Sequence, residues 1–453
     1  MSIYNSRIKT HLIKPVYDGK NIRSEFRLES NTAYLSNMRL MDIGVTMGGT
    51  DQGQYNRLCG AYGVIKSIHL YDNNTLLDQQ LENNLWSAWK QVNKTNQDNL
   101  DMNFITSANN AGSIYKAQDD QGTGIGSLIG DGARFDLNTA PLALNTAKGW
   151  LNLKEVFPLL TSLQYLDTAL FQRIRIVIHY HNNGEEFMAN RQTIAAQPKT
   201  TTEPLLIVDE IVGDGKAKVM GKFNGVNYTT IEHDRVRLSA VVPTATEPNK
   251  VQSQTFKISG FNNKNVGRML IIKSPIAQAF YTDPATADGS NIAKGGKLQS
   301  VGCFKEIIQM RKNGNALLTG RGLESSAQRL AMVNDIWGQC SIPPFSNGIA
   351  YETDIKSTDD AKERTELLQR NNKDIGSLDY VAFDLRGERV LDLQFDYQRS
   401  GVYVFNTTPK DITGTDDAVT LTSKYNQALD LHFFAEVDKS IVVQGGKYQV
   451  LYS

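Results

Sequence analysis

"SIHLYDNNTLLDQQLENNLWSAWKQVN", residues 67–93, has a counterpart in "IIQMRKNGNALLTGRGLESSAQRLAMVND", residues 307–335. In each, an alternating strand leads into a short turn, a returning apolar pair and an amphipathic helix. Ile68 and Leu70 stand 240 positions before Ile308 and Met310, whereas Leu76-Leu77 stand 241 before Leu317-Leu318. One additional turn residue accounts for the difference. The turns, Asp72-Asn73-Asn74 and Lys312-Asn313-Gly314, supply residues that tolerate positive φ, which a tight hairpin requires. Leu81, Leu85 and Trp89 recur every fourth residue in the first helical pattern, over 79–92. Leu330, Val333 and Trp337 share a face in the second, over 325–337.

The parallel continues downstream. "LFQRIRIVIHYHNNGEEF" (170–187) matches "ERVLDLQFDYQRSGVYVF" (388–405), and "EPLLIVDEIV" (203–212) matches "ALDLHFFAEV" (428–437) more loosely. Three matches in the same order predict an internally duplicated β-domain. The remaining periodicity agrees with it. Period-two alternation runs through "EFRLES" (25–30), "LSNMRLMDIGVTM" (35–47), "QTFKISGF", "YVAFDL" and "KYQVLY", and helical patterns are few and short. Long polar stretches occupy 106–149, 282–299 and 353–377, as functional surface loops of a β-domain do. "PTATEPNK" (243–250), with two prolines and no hydrophobic period, is the best linker. The expected organisation is an N-terminal arm at 1–24, a first domain at 25–242, that linker, and a second domain at 251–453.

A chain of 453 residues is long enough for two domains of about 200 residues each. Hydrophobic residues at 40% and charged residues at 21% are the composition of packed material rather than disorder. Lys+Arg and Asp+Glu are both 48. This balance argues against a chain that clamps nucleic acid along a basic face and leaves no strong repulsion between copies. Cys59, Cys303 and Cys340 lie far apart and outside any CxxC spacing, so neither a disulfide framework nor a zinc site is expected. The start of the chain lacks a signal-type apolar run and no window approaches 18 apolar residues, so a soluble chain with no transmembrane segment is expected.

Candidate chemistry is thin. His179 and His181 stand two apart on a strand, where two imidazoles could chelate a metal, but no third ligand stands near them in sequence. "GTGIGSLIGDG" (122–132) and "GNALLTGRG" (314–322) miss both the dinucleotide and the P-loop spacing. The carboxylates of "DYVAFDLRGERVLD" (379–392) and "FFAEVDKS" (433–440) read as outward strand positions rather than a glycosidase pair. Cys59 reads as a packing residue. Trp86, Trp89, Trp150 and Trp337 read as core or interface residues before sugar platforms. The reading therefore names no catalytic, cofactor-binding or metal residue, no cofactor and no enzyme activity.

Several segments resemble one family. "CGAYGVIKSIHLYDNNTLLD" (59–78) is similar to its strand after an early Gly-rich turn. "GWLNLKEVFPLLTSL" (149–163) with "FQRIRIVIHY" (171–180) is similar to its leucine-rich connector and following strand. "NGNALLTG" (313–320), "AQRLAMVNDIWG" (327–338), "LDYVAFDLRG" (378–387) and "LHFFAEVDKSIVVQGGKYQVLYS" (431–453) look like counterparts in a second barrel. The family is the double jelly-roll major capsid proteins of icosahedral double-stranded DNA viruses, and the likeness is greatest to its Polinton-like virus and virophage-related members. It spans most of residues 25–453, through motifs that are individually short. The resemblance implies an all-β fold of two tandem eight-stranded antiparallel jelly rolls with a few short helices in the loops. It also implies a homotrimer forming a pseudo-hexameric capsomer in the virion. Partners would be neighbouring capsomers and penton or minor capsid proteins, with no sequence-specific nucleic-acid binding. Such a chain is synthesised and assembled inside the host cell. The N-terminal arm would tie the tile to neighbours or to the inner side of the shell. Two other classes remain beside it: a β-sandwich attachment or glycan-binding module or other minor virion protein, and a β-sandwich carbohydrate-active enzyme. Saturable glycan binding would mark the former, and two carboxylates about 5–9.5 Å apart in a cleft the latter.

Overall fold

The quoted hairpins form as the residue pattern dictates. Ile65–Asp72 pairs with Thr75–Gln80, and Phe304–Lys312 pairs with Asn315–Ala316, all antiparallel. Asn73 turns the first at φ 53°, and Asn313 and Gly314 turn the second at 53° and 82°. That is the left-handed backbone a tight hairpin needs. Each hairpin is followed by a helix, Asn83–Lys94 in the first half and Ser326–Trp337 in the second. The first helix starts four residues later than the sequence period suggests, because residues 75–80 return as a strand. The computed structural model describes residues 7–47, 54–55, 60–94, 148–182, 184–189, 199–244, 246–247, 250–276, 304–338, 379–401 and 428–452.

Each half is a pair of facing antiparallel sheets. In the second half one sheet runs Gly225–Leu238, Leu429–Gln444, Val266–Pro275, Asp379–Asp384. The C-terminal strand Lys447–Tyr452 also pairs with Leu429–Gln444. Its companion sheet runs Val251–Lys257, Leu393–Ser400, Phe304–Lys312, Asn315–Ala316. Taken in chain order, the eight strands from Gly225 to Gln444 pass back and forth between the sheets, except for the hairpin Phe304–Lys312 and Asn315–Ala316, which stays in one, as in a jelly roll. The first half repeats the plan. Arg7–Ile13 pairs with Leu205–Val212, which joins Arg39–Met47, flanked in turn by Lys148–Asn152. The opposing sheet runs Tyr17–Gly19, Arg23–Arg27, Ile174–Tyr180, Ile65–Asp72, Thr75–Gln80. Short strands at Ala33–Leu35, Tyr165–Asp167 and Lys199–Thr201 widen the first sheet to seven. All three sequence matches fall on equivalent strands of the two rolls.

Two expected boundaries differ from the strand pairing. Residues 7–24, read as an arm, contribute an edge strand to each sheet of the first roll. Their polar, short-period pattern concealed this, since Arg7–Ile13 is largely exposed on both faces. Gly225–Leu238, expected in the first domain, pairs through fourteen successive residues with Leu429–Gln444. Residues 243–250 therefore connect two strands of one roll rather than two domains. We place the division between the rolls in residues 213–224, which hold the short helix Asp214–Val219.

The cores follow from alternation. Leu238, Ile271, Phe383, Phe395, Leu431 and Phe433 fill the second roll. Phe26, Leu40, Ile68, Leu70, Ile176 and Val208 fill the first, and this cluster continues without a break to Tyr228, Tyr380 and Phe434 of the second roll. The largest hydrophobic cluster thus belongs to both halves.

Candidate functional site

The junction between the rolls is the most elaborated region of the described molecule. The helix Asn83–Lys94 presents Trp86 and Trp89, one turn apart, toward the second roll. Trp86 lies 5.4 Å from Phe434 and 6.0 Å from Trp337, centroid to centroid. Trp89 meets Tyr380 edge-on at 4.9 Å and Trp337 at 6.1 Å. Trp337 closes the helix Ser326–Trp337, whose start is fixed by a capping box between Ser325 and Gln328. The guanidinium of Arg268 sits 4.3 Å above the Trp337 ring and is held there by Glu436. Farther along the junction Phe171 packs on Tyr448 at 4.8 Å and on Phe223 at 5.5 Å.

Polar groups weld the same surface. The Tyr228 hydroxyl donates to the Leu77 carbonyl at 2.5 Å, and the Tyr448 hydroxyl donates to Asp72 at 2.7 Å. Asp78 is fully buried. Its carboxylate accepts from the Thr230 hydroxyl at 2.6 Å and from the Leu159 amide at 2.8 Å. It thus ties three segments distant in sequence. Burial pushes the Asp78 carboxyl up to about 6, against the pull of these donors and of Lys439. Beyond it, Glu232 bridges Lys264 and Lys439 at 2.5 and 3.2 Å, and both ammonium groups lie over the Tyr452 ring. His233 stacks between Phe434 and His432, with a ring nitrogen 3.0 Å from that of His432. Burial, then the charge of Arg235, lowers its pKa to about 4.

Such an arrangement joins the two rolls through one shared apolar core and buried hydrogen bonds. Of the residues weighed in the sequence, Trp86, Trp89 and Trp337 come together here, while only the backbone of Trp150 is described. His179 and His181 do not converge. The strand ends at Tyr180 with a register shift, and the His179 ring lies 5.5 Å from His69 while His181 is packed near Phe187. Among the described residues no three His, Cys, Asp or Glu side chains are grouped to hold a metal. Glu436 and Asp384 are each engaged by an arginine, Arg268 and Arg386. Gly320 and Gly322 in "GNALLTGRG" form a turn beside Phe304–Lys312, with Leu323 bridged to Ile308, and no helix opens at them. The glycine-rich 122–132 segment and all three cysteines lie outside the described residues. The sequence reading missed Asp78, Tyr228, Thr230 and Tyr448. An aspartate ending "TLLD" is a weak signal, and its partners stand 81 and 152 positions away.

No family model matches the sequence, and no curated protein matches it. Solved structures do. The chain aligns with the crystal structure of the mavirus major capsid protein at TM-score 0.53 and 10% identity, over 100% of this chain and 91% of that one. It aligns with PBCV-1 VP54, as fitted into a reconstruction of the virophage Sputnik, at 0.52 and 10% identity, over 99% and 97%. The Sputnik virophage structure aligns at 0.51 and 8% identity, over 98% and 88%. The likeness is one of fold, and it spans both halves: the chain has the double jelly-roll architecture.

Proposed function

We propose that this chain is a major capsid protein whose trimers form the pseudo-hexameric capsomers of an icosahedral shell. The observation that carries the reading is the continuous core between the two rolls, in a double jelly roll matched along its whole length by proteins described as capsid proteins. Three two-roll blocks around a three-fold axis present six similar rolls, and such a tile can occupy positions with six neighbours. The geometry works only if the angle between rolls is fixed. A hinge between them would let the six walls of the tile lose registry. The Trp86–Phe434 and Asp78–Thr230 contacts remove that freedom. On this reading the role is structural rather than enzymatic, and the protein resides in the virion beside neighbouring capsomers and penton or minor capsid proteins.

Light scattering behind size exclusion tests it, followed by negative-stain imaging of the main peak. The expected result is a mass three times that of the 50.4 kDa chain, with triangular or hexagonal outlines. A monomer over a wide range of salt and concentration would overturn the proposal.

A further inference from the structure

The two rolls treat equivalent surfaces differently. In the second roll, Phe434 and His233 lie on the outer face of the sheet built on Gly225–Leu238 and Leu429–Gln444. That face is covered by Trp86 of the first roll. The equivalent strands of the first roll are Arg7–Ile13 and Leu205–Val212. The match of 203–212 to 428–437 sets Ile207 and Asp209 where His432 and Phe434 stand. Leu206 and Val208 point into the core, so Ile207 and Asp209 point outward. Directly opposed residues of an antiparallel pair share a face, which puts Leu12 beside Ile207 and Ile8 beside Ile211.

Ile211 is covered by Ala33 and Val219, and Asp209 is held by Thr10 and Arg39, but the face opens toward the edge strand. Leu12 is 67% exposed and Ile8 49%. Among the described residues, they are two of the ten exposed large hydrophobic side chains. Arg7–Ile13 is also, among the described residues, an edge strand, paired on one side only. An exposed edge beside an apolar face is a template for association. The equivalent face of the second roll says with what: within the chain it is covered by the other roll, through Trp86 on Phe434.

We infer that the outer face of Arg7–Ile13, centred on Ile8, Leu12 and Ile207, docks a second copy of this chain through that copy's second roll. The contact repeats between copies the packing that the two rolls already make within one. It rests on the capsomer reading and names the surface that reading needs.

The test uses the full chain carrying Ile8→Asp and Leu12→Asp, beside Leu391→Asp, an equally exposed leucine of the second roll. Self-association is followed by light scattering on dilution, with circular dichroism to verify folding. The double variant should need at least about tenfold more protein for half-assembly, and the control within about twofold of wild type. Equal weakening by Leu391→Asp, or unchanged assembly of the double variant, overturns the docking face while leaving a wild-type trimer, and hence the capsomer reading, intact. A monomeric wild type overturns both. Hydrogen exchange on the wild-type protein gives a second readout free of folding defects: residues 7–13 should gain protection on assembly, and unchanged exchange there counts against the face. Anionic vesicles and duplex DNA are included as competing occupants. Loss of binding to either with assembly preserved would reassign the surface.

Discussion

The rings of Trp86 and Phe434, from opposite rolls of one chain, pack with centroids 5.4 Å apart, and Trp86 is buried although its helix belongs to the surface of the first roll. The pair marks where two domains stop being separate. Single-domain unfolding would leave this apolar surface exposed to water, so the rolls are coupled in stability.

The neighbouring Trp89 offers the sharper test, being almost fully buried against Tyr380. Trp89→Ala should cost about 3–5 kcal/mol through lost burial and a cavity that the stiff sheets cannot close. Denaturant unfolding should pass from one transition to two, as the rolls come apart before they melt. A single transition shifted by less than about 1 kcal/mol would mean that the junction does not couple them.

Acid should loosen the same junction. The folded-state pKa of His233, at the junction, is lowered to about 4, and that of His69, within the first roll beside His179, likewise, from an ordinary value near 6.5. Their neutral forms are the folded forms. The unfolded chain binds these protons first, so stability is full above about pH 6.5 and falls as pH drops toward 4. Asp78 acts in the opposite sense. Its raised value, about 6, means that the folded protein retains a proton the unfolded chain releases. Its contribution therefore falls as pH rises from about 4 to 6. Thermal melts of wild type and His233→Asn across pH 4–7 separate the two. The wild type should gain stability with pH more steeply than the variant, and parallel curves would remove His233 from the account.

How much of this was legible in the residues depends on distance along the chain. Ile68, Leu70, Ile308 and Met310 announced their strands, because alternation is a local property and the two copies could be compared. The hairpin at Asn313-Gly314 was likewise local. Arg7–Ile13 was not readable as a strand, since burial on neither face leaves no period to detect. Gly225–Leu238 was assigned to the wrong roll because its fourteen partners begin 191 residues beyond its end, in Leu429–Gln444. The welding residues Asp78, Thr230 and Tyr448 share that difficulty. Nothing near them in sequence says what they meet.

Glu306 tests the interior of the second roll. Its carboxylate lies 2.7 Å from the Lys273 ammonium and 3.1 Å from Arg329, and it accepts from the Tyr397 hydroxyl. Burial pushes this carboxyl up, but the two cations outweigh it and hold it below the ordinary range. Glu306→Gln keeps the shape and removes the charge that both cations face. About 3–5 kcal/mol of stability should be lost, since a buried cation without this counter-charge is costly. Chemical denaturation reads it directly, and a loss under about 1 kcal/mol would show that the cluster relaxes or hydrates.

The last test concerns where the chain passes from one roll to the next. Gly225 opens the long strand that the second roll shares with the junction, at φ 115°, and a Cβ placed there would sit 2.5 Å from the Ile441 carbonyl oxygen. Both the backbone conformation and the space demand glycine. Gly213 and Gly221 also have positive φ but meet nothing within 4 Å, so alanine there incurs the conformational cost alone. Gly225→Ala should therefore destabilise the protein by more than Gly221→Ala, which should cost about 1 kcal/mol. The difference should appear chiefly at the Gly225–Val442 end of the sheet, as faster hydrogen exchange at residues 225–230. Equal effects of the two substitutions, with exchange at 225–230 unchanged, would mean that this strand can begin one residue later without loss and that the chain leaves the first roll less tightly than the geometry states.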